Sequence, residues 1–423
     1  MPKPGDLVKV TTDKQSEEGV LIPSPKKDIV IIKLDNGYNV GFKKEEIKDL
    51  TIVKEHLPVT IQQKPIEKKE DLPTIAILHT GGTIASKVDY STGGVSAKFS
   101  ASDLVAMFPE LQEIANIETH LVENMMSEDM GFEDHQKIAE AVKEYSPKVD
   151  GIIIGHGTDT LGITAASLAF MFEESSVPVI LVGSQRSSDR GSTDAVQNLI
   201  CAAEFIKQTD FVGIAICMHK TSNDTRCAIL PATKTRKMHT SRRDAFKAIN
   251  DSPIAFVDYN TKKIDLLKKE YAKRGNCILK KKMESNVGLL KAYPSMGTEL
   301  FKFFTSTYKG FVIEGTGLGH APTNFGDNQK NYELLKKYIA EGGVVAITSQ
   351  CLFGAVNSNV YTNLRRLAEI GCIFCHDMLP ETAYVKLSWL LANYPDEVKE
   401  LLPKNLRGEI NETISYKEDF LNE

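Results

Sequence analysis

A chain of 423 residues, 42% apolar and 25% charged, has the composition of a globular protein with two or three domains, which excludes a disordered or fibrous one. No stretch approaches the roughly 18 to 20 uninterrupted apolar residues of a bilayer span, and the start MPKPGDLVKV lacks the apolar centre of a secretory signal, so the sequence predicts a soluble, cytoplasmic protein with no membrane partner. The formal charge of -5 argues against the chain as a whole clamping nucleic acid, although one local basic face stays open, and seven cysteines between Cys201 and Cys375 fit a reducing compartment rather than a disulfide framework.

Residues 1–55 hold short β-rich runs, Leu7–Thr12, Gly19–Ile22, Ile29–Leu34 and Tyr38–Phe42, separated by turn signals that include Asp35-Asn36-Gly37. This pattern predicts a small β-barrel. Its charges nearly cancel, with 13 Lys against 12 Asp or Glu across residues 1–70, so electrostatics alone does not make it a nucleic-acid module. Residues 56–73 turn polar and carry Pro58, Pro65 and Pro73, as a linker does.

Residues 74–260 then repeat apolar strand, small polar loop and amphipathic helix. Thr74–Leu78, Gly151–Ile154, Pro178–Val182, Phe211–Cys217 and Ile254–Val257 read as buried strands, while Glu133–Glu144, Gly162–Phe172 and Asp194–Ile206 carry apolar residues at three- and four-residue spacing. The alternation predicts an α/β fold on a doubly wound parallel sheet. Residues 261–285 interrupt it as a basic inter-domain linker, with nine Lys or Arg against Asp265 and Glu270 within 262–282. A smaller α/β domain follows over 286–415, with strands Gly310–Ile313, Val344–Thr348 and Cys372–Phe374 and helices Gln329–Ala340, Val360–Ile370 and Ala383–Leu391.

Ligands of doubly wound sheets sit beyond the carboxyl ends of the strands, so the loops there carry the first functional signals. His79-Thr80-Gly81-Gly82-Thr83-Ile84-Ala85-Ser86 follows one strand, and its paired glycines let backbone approach a ligand while Thr83 is presented as a hydroxyl. A plain helix-capping turn fits that segment equally well. Gly155-His156-Gly157-Thr158-Asp159-Thr160 follows another strand and precedes an amphipathic helix, where Thr158 or Asp159 taken singly reads as a cap. Two such loops on one sheet point further, to a threonine hydroxyl served by a lysine base that a carboxylate orients.

In their order and separation, Thr80-Gly81-Gly82-Thr83-Ile84-Ala85-Ser86 and His156-Gly157-Thr158-Asp159-Thr160 resemble the two signature motifs of the asparaginase/glutaminase family of threonine amidohydrolases, with similarity over about residues 74–415. The resemblance implies Thr83 as the nucleophile on a side-chain amide, with Thr158, Asp159 and a lysine as the second catalytic group. The family context of that lysine, Lys-x-x-Thr-x-x-x-x-x-Phe, matches Lys237 with Thr240 and Phe246; Lys234 is a neighbouring competitor. The loop Asn124–Asp129 corresponds to the segment that holds the substrate's α-carboxylate and α-amino groups. Ser127 matches a substrate-contact serine, and Glu128 stands where many free asparaginases have glutamine, its charge suited to attract the α-ammonium. Tyr90 is the candidate for the tyrosine of the family's lid. Where some members receive an acidic residue from a neighbouring subunit, this chain has Tyr361 near that place. No metal site is implied.

The residues ahead of position 74 set the chain apart from free-standing asparaginases. Glu18–Ser24, Ile32–Gly41 and Gly354-Ala355-Val356-Asn357-Ser358-Asn359-Val360-Tyr361 resemble the GatD branch of the archaeal tRNA-dependent amidotransferases, so the match covers essentially the whole chain. This implies a glutaminase that supplies ammonia to a GatE-type partner, which converts Glu-tRNA(Gln) to Gln-tRNA(Gln) with ATP. It further implies no cofactor in this chain, ATP and Mg being used at the partner, and a homodimer within a heterotetramer. A free-standing L-asparaginase/glutaminase and a tRNA-binding scaffold with a vestigial amidase site are the alternatives.

Three further patterns carry less. Cys372-Ile373-Phe374-Cys375-His376 has the spacing of a haem-attachment or half-zinc motif, but its apolar strand context and the lack of a second CxxC pair predict buried free thiols. Glu314-Gly315-Thr316-Gly317-Leu318-Gly319-His320 departs from a dinucleotide fingerprint at His320 and reads as a tight loop. The basic run 262–282 is open to two readings, a phosphate-contacting surface or a charged, exposed linker.

Overall fold

The computed structural model describes residues 2–24, 26–34, 39–55, 68–81, 109–186 and 193–413, together with the backbone of two short paired strands, Ser86–Asp89 and Gly94–Ala97. Thr83 and Tyr90 lie outside the described residues.

Five strands form the first unit: Leu7–Thr12 (β1), Ser16–Ile22 (β2), Ile29–Lys33 (β3), Asn39–Lys43 (β4) and Ile47–Lys54 (β5). They build an antiparallel ladder in the order β4-β3-β2-β1-β5, with β4 and β5 at its ends. Side chains alternate across a strand, so Val8 and Val10 point inward to meet Ile32 and Phe42 while Lys9 points out. Gly19 stands opposite Val8 because a Cβ there would lie 2.6 Å from the Lys33 carbonyl oxygen. The sequence reading passed over β5, whose Ile52 and Val53 are exposed and leave no clean alternation.

The second unit is an eight-stranded sheet. Its strands in chain order are Thr74–His79 (β6), Asn116–Leu121 (β7), Gly151–Gly155 (β8), Pro178–Val182 (β9), Gly213–His219 (β10), Arg226–Pro231 (β11), Ala255–Asp258 (β12) and Ile264–Leu266 (β13). The spatial order is β13-β12-β11-β10-β9-β8-β6-β7. Strands β7, β6, β8, β9 and β10 are mutually parallel. The sheet is not parallel throughout, as the sequence predicted: β11, β12 and β13 continue it antiparallel. For β10–β11 and β12–β13 the physical reason is connection length, since residues 220–225 and 259–263 can turn a chain back on itself but cannot hold the crossover that a parallel neighbour demands.

Helices cover both faces. Phe132–Tyr145 (α1) and Leu161–Met171 (α2) pack with Ile152 and Ile154 of β8, whereas Ala195–Gln208 (α3) packs on the other face with Ile153. Burying each such isoleucine contributes roughly 1.5 to 3 kcal/mol. Helix α2 is apolar nearly all round, and a helix of that kind must be covered on every side.

Its second cover comes from the third unit. Val287–Lys291 (β14), Gly310–Gly315 (β15), Val344–Ser349 (β16) and Ile373–Phe374 (β17) form a parallel sheet in chain order. Thr298–Thr307 (α4), Gln329–Ala340 (α5), Thr362–Glu369 (α6) and Pro380–Asn393 (α7) accompany it. Phe301, Leu335, Leu364 and Leu367 pack with Phe311 and Ile347 on one face. Helix α7 carries Val385, Leu387, Trp389 and Leu390 into the core shared with α2, where the Phe170 and Trp389 rings lie 5.9 Å apart. The sequence reading missed β14 and α4.

The basic run is partly structured. It contains β13 at the sheet edge and Ile278–Leu279, which pairs antiparallel with Phe172–Glu174. Cys372 and Cys375 are buried free thiols that burial pushes up to about 12, so neither offers a thiolate at neutral pH. Residues 314–320 form a tight loop closed by a Thr316–His320 bridge, with Gly317 and Gly319 at positive φ. Among the described residues, no group of three or more His, Cys, Asp or Glu is placed to hold a metal ion, and no helix is long and apolar enough to cross a membrane.

Candidate active site

The two signature loops leave adjacent parallel strands, β6 and β8, at their carboxyl ends. Thr80 ties the loops together, its backbone N–H and its hydroxyl both donating to the Gly155 carbonyl at 3.1 and 3.0 Å. Gly81 takes φ +93, and a Cβ there would lie 2.7 Å from the Met125 carbonyl oxygen, so the first loop lies directly against the segment 124–129. Gly157 does the same from the second loop, since its Cβ would sit 2.7 Å from the side chain of Ser127. The Thr160 hydroxyl donates to the Ser127 carbonyl at 2.7 Å. Ser127 is therefore buried between the loops, while Glu128 next to it is exposed.

Thr158 and Asp159 are not capping residues. Helix α2 begins at Leu161, with Thr160 as its cap residue and no side-chain cap bond, which leaves both side chains to another partner. That partner is Lys237, on a two-stranded hairpin of Thr235–Lys237 and Phe246–Ala248. The Lys237 amino group donates from Nζ to Thr158 Oγ1 at 2.9 Å and to Asp159 Oδ1 at 2.8 Å. Filling the Thr158 oxygen from one side leaves its own proton free to point elsewhere, as a hydroxyl in a proton relay requires. Lys237 is mostly buried and Asp159 largely exposed, so the pair stands at the site's rim.

The competing lysine is spoken for. Lys234 is fully buried and paired with Asp377 of the third unit. Burial pulls Lys234 below the ordinary lysine range, against the opposing pull of Asp377. The Asp377 carboxylate also accepts from the backbone N–H and side-chain amide of Asn411 at 3.0 and 2.8 Å. Arg236 lies 3.6 Å from Glu381, whose carboxyl is raised by burial. Thr382 donates to the Thr233 carbonyl at 3.0 Å. The third unit thus grips the segment that leads to Lys237.

Sequence reasoning missed the support behind Thr158. Gly183, after β9, backs directly onto it: a Cβ there would be 2.7 Å from Thr158 Cγ2. Asn198 of α3 donates to the Gly183 carbonyl at 3.0 Å and accepts from His219 Nδ1 at 2.7 Å. Buried Asp194 accepts from the Ser184 hydroxyl and from the N–H groups of Gln185 and Arg186. The available signal was Gly183-Ser184 as a third loop after a parallel strand. His79 is buried with neither ring nitrogen hydrogen-bonded, and burial pulls it down to about 4, so it is neutral. Tyr361 is half exposed and meets the His320 ring edge-on at 5.0 Å; among the described residues, no hydrogen bond joins it to Thr158, Asp159 or Lys237.

Three family profiles cover the chain in succession: the GatD N-terminal domain over residues 2–53, "Asparaginase, N-terminal" over 74–271, and the Glutaminase/Asparaginase C-terminal domain over 286–402. Among curated proteins, it is 45% identical to the D subunit of the glutamyl-tRNA(Gln) amidotransferase from Pyrococcus furiosus, over 96% of this chain and 94% of that one. The corresponding proteins of Thermococcus kodakarensis and Methanococcus maripaludis, which carry the same name, are 46% and 43% identical, over 96% and 98% of this chain and 94% and 99% of their own lengths. Among solved structures, the thermostable L-asparaginase from Thermococcus kodakarensis superposes with a TM-score of 0.73 at 30% identity, over 80% of this chain and all of that one. L-asparaginase I from Vibrio cholerae gives 0.70 at 28% identity, over 80% of this chain and 99% of its own.

Proposed function

Because the chain belongs to the GatD family of glutamyl-tRNA(Gln) amidotransferase proteins, built on the asparaginase/glutaminase fold, we propose that it is the glutaminase subunit of a tRNA-dependent amidotransferase. Thr83 Oγ attacks the glutamine side-chain amide carbon, the carbonyl π pair moves to oxygen, and the hydroxyl proton passes through the Thr158–Lys237 group to the departing nitrogen. Ammonia leaves, and water then hydrolyses the threonine ester to release glutamate and restore the hydroxyl. The ammonia goes to a GatE-type partner, which uses ATP and Mg to activate the glutamate of Glu-tRNA(Gln) and amidate it. Ser127 and Glu128 serve the α-carboxylate and α-ammonium of glutamine.

One observation carries this reading: Lys237 contacts Thr158 and Asp159 together, on a loop that Thr80 ties to the first signature loop. That is the arrangement a threonine-directed proton relay needs. The test is co-purification with the GatE-type partner and an assay of ATP- and glutamine-dependent conversion of Glu-tRNA(Gln). Thr83→Val should abolish the glutamine-dependent reaction and spare the reaction driven by added ammonium. Full glutamine-dependent activity in Thr83→Val would overturn the assignment.

A second reading, a free-standing asparaginase, is favoured by the two L-asparaginase structures that superpose on 80% of the chain. Fast asparagine hydrolysis by the isolated chain, unchanged by partner and tRNA, would support it.

A further inference from the structure

Beneath the second signature loop runs a buried chain of hydrogen bonds that ends on its backbone. The ring of His156 lies wholly inside the protein, with Nδ1 2.7 Å from the Gly157 carbonyl oxygen. A carbonyl only accepts, so Nδ1 carries the proton. Burial pulls this imidazole down to about 4, which makes it neutral at pH 7 and leaves Nε2 as an acceptor. Nε2 lies 2.9 Å from the Thr164 hydroxyl, which must donate to it. Having given its one proton, the Thr164 oxygen accepts from His135 Nε2 at 3.1 Å. His135 Nδ1 ends the chain, buried and, among the described residues, without a partner. Its three side chains come from the signature loop, from α2 and from α1, and all are buried.

The direction of this chain has a geometric consequence. In a trans peptide the C=O and the following N–H point to opposite sides. Pulling the Gly157 carbonyl inward to His156 therefore turns the Thr158 N–H the other way, away from the buried ring. Among the described residues that N–H donates to nothing, and Thr158 is only partly buried. Ser127 closes off the other side of Gly157, leaving no room there even for a Cβ, and rotating the peptide would break the bond to His156.

Resting on the amidohydrolase reading above, we propose that Thr164 and His135 are positioning residues for the reaction. Through His156 they lock the Gly157–Thr158 peptide, so that the Thr158 N–H is preorganised for the negative oxygen that develops when the substrate's amide carbon becomes tetrahedral. A donor already aimed at the transition-state oxygen needs no reorganisation during the reaction, and losing one such donor typically costs about 10²- to 10³-fold in kcat. Loosening one costs less.

The experiment compares glutamine hydrolysis by the full chain, with its partner, in four variants. Thr164→Val keeps the shape and removes the relay; kcat should fall on the order of 10- to 100-fold, a fraction of a lost oxyanion donor, with KM nearly unchanged. Thr164→Ser restores the hydroxyl and should recover most of the loss. His135→Leu removes the terminal donor and should lower kcat, whereas His135→Gln offers an N–H in its place and should recover it. Should Thr164→Val fail to fold, the two His135 variants decide. Equal kcat in Thr164→Val and Thr164→Ser, or in His135→Leu and His135→Gln, overturns the proposal, as does a loss confined to KM. Selective ¹⁵N labelling should show His156 as the Nδ1–H tautomer at pH 7; the Nε2–H tautomer would also overturn it. A different result separates this from failure of the underlying reading: there, Thr83→Val would itself leave glutamine hydrolysis intact.

Discussion

Lys234 and Asp377 form an ion pair in which neither side chain touches solvent, joining the segment before the Thr235–Lys237 hairpin to the third unit of the fold. Lys237, three residues on, reaches the opposite way to Thr158 and Asp159. The lysine that the motif selects and its near neighbour thus have different partners, Thr158 and Asp159 for Lys237 and Asp377 for Lys234.

Breaking the buried pair should be costly. Asp377→Leu leaves an uncompensated charge in the interior and is expected to lower unfolding free energy by roughly 3 to 5 kcal/mol. The double variant Lys234→Met/Asp377→Leu should recover most of this, yet fall short by about 1 to 3 kcal/mol because Asn411 loses its acceptor. Urea denaturation of the single and double variants measures both differences. Additive losses would show that the two side chains do not compensate each other.

Lys237→Met should act on turnover rather than folding. A positioned proton-transfer group contributes about 10²- to 10⁴-fold, so glutamine hydrolysis should drop by that order while the midpoint of unfolding moves little. Lys234→Met should show the reverse, a lowered midpoint with far smaller loss of turnover in the folded fraction. Steady-state kinetics alongside thermal melts separates the two. Equal effects of both substitutions on kcat would contradict the division of roles.

Gly157 and Gly183 are expected to tolerate no methyl group. Gly157→Ala places a Cβ 2.7 Å from the Ser127 side chain, and Gly183→Ala places one 2.7 Å from Thr158 Cγ2. Overpacking of this kind costs roughly 1 to 3 kcal/mol, and the neighbour that yields differs. Gly157→Ala should raise KM by displacing Ser127, whereas Gly183→Ala should lower kcat by displacing Thr158. A kinetic comparison in which the two variants are indistinguishable would count against these contacts.

Three buried histidines make stability depend on pH. His79 and His156 are drawn down to about 4 and His135 to about 3 by burial, against an ordinary value of 6.5. Between pH 6.5 and 4 the unfolded chain binds protons that the folded chain refuses. Stability is therefore complete above pH 6.5 and is lost as pH falls toward 4, by on the order of 3 kcal/mol per histidine at the lower limit. Urea midpoints at pH 7.5, 6 and 5 should decline in that order. A flat series would mean that these rings accept protons in the folded state.

Much was legible in the sequence because local chemistry dictated it. Buried parallel strands such as Thr74–His79 and Pro178–Val182 are continuous apolar runs, and α1 and α3 carry helical spacing, so their positions needed no knowledge of neighbours, whereas α2, read as amphipathic, is apolar nearly all round because the third unit covers its outer side. The signature loops were visible because glycines and hydroxyls cluster immediately after those strands. Strand β5 was not, as its apolar side chains are partly exposed; β14 and α4 went unread although Val287–Lys291 is largely apolar and Leu300, Phe301, Phe303 and Phe304 fall at helical spacing.

Tertiary structure alone decided three matters. It set β11 to β13 antiparallel, because pairing direction belongs to how strands meet and is not written in the composition of one strand. It placed Lys234, which the motif had left as a competitor of Lys237, in a buried pair with Asp377, because burial and partners are absent from a linear pattern. And it joined His135, Thr164 and His156 into one chain, since hydrogen bonds between residues on two helices and a loop exist only once the helices have packed. Residue types and order carried the amidohydrolase reading and the three-part organisation; distance, direction and burial carried the division of labour within it.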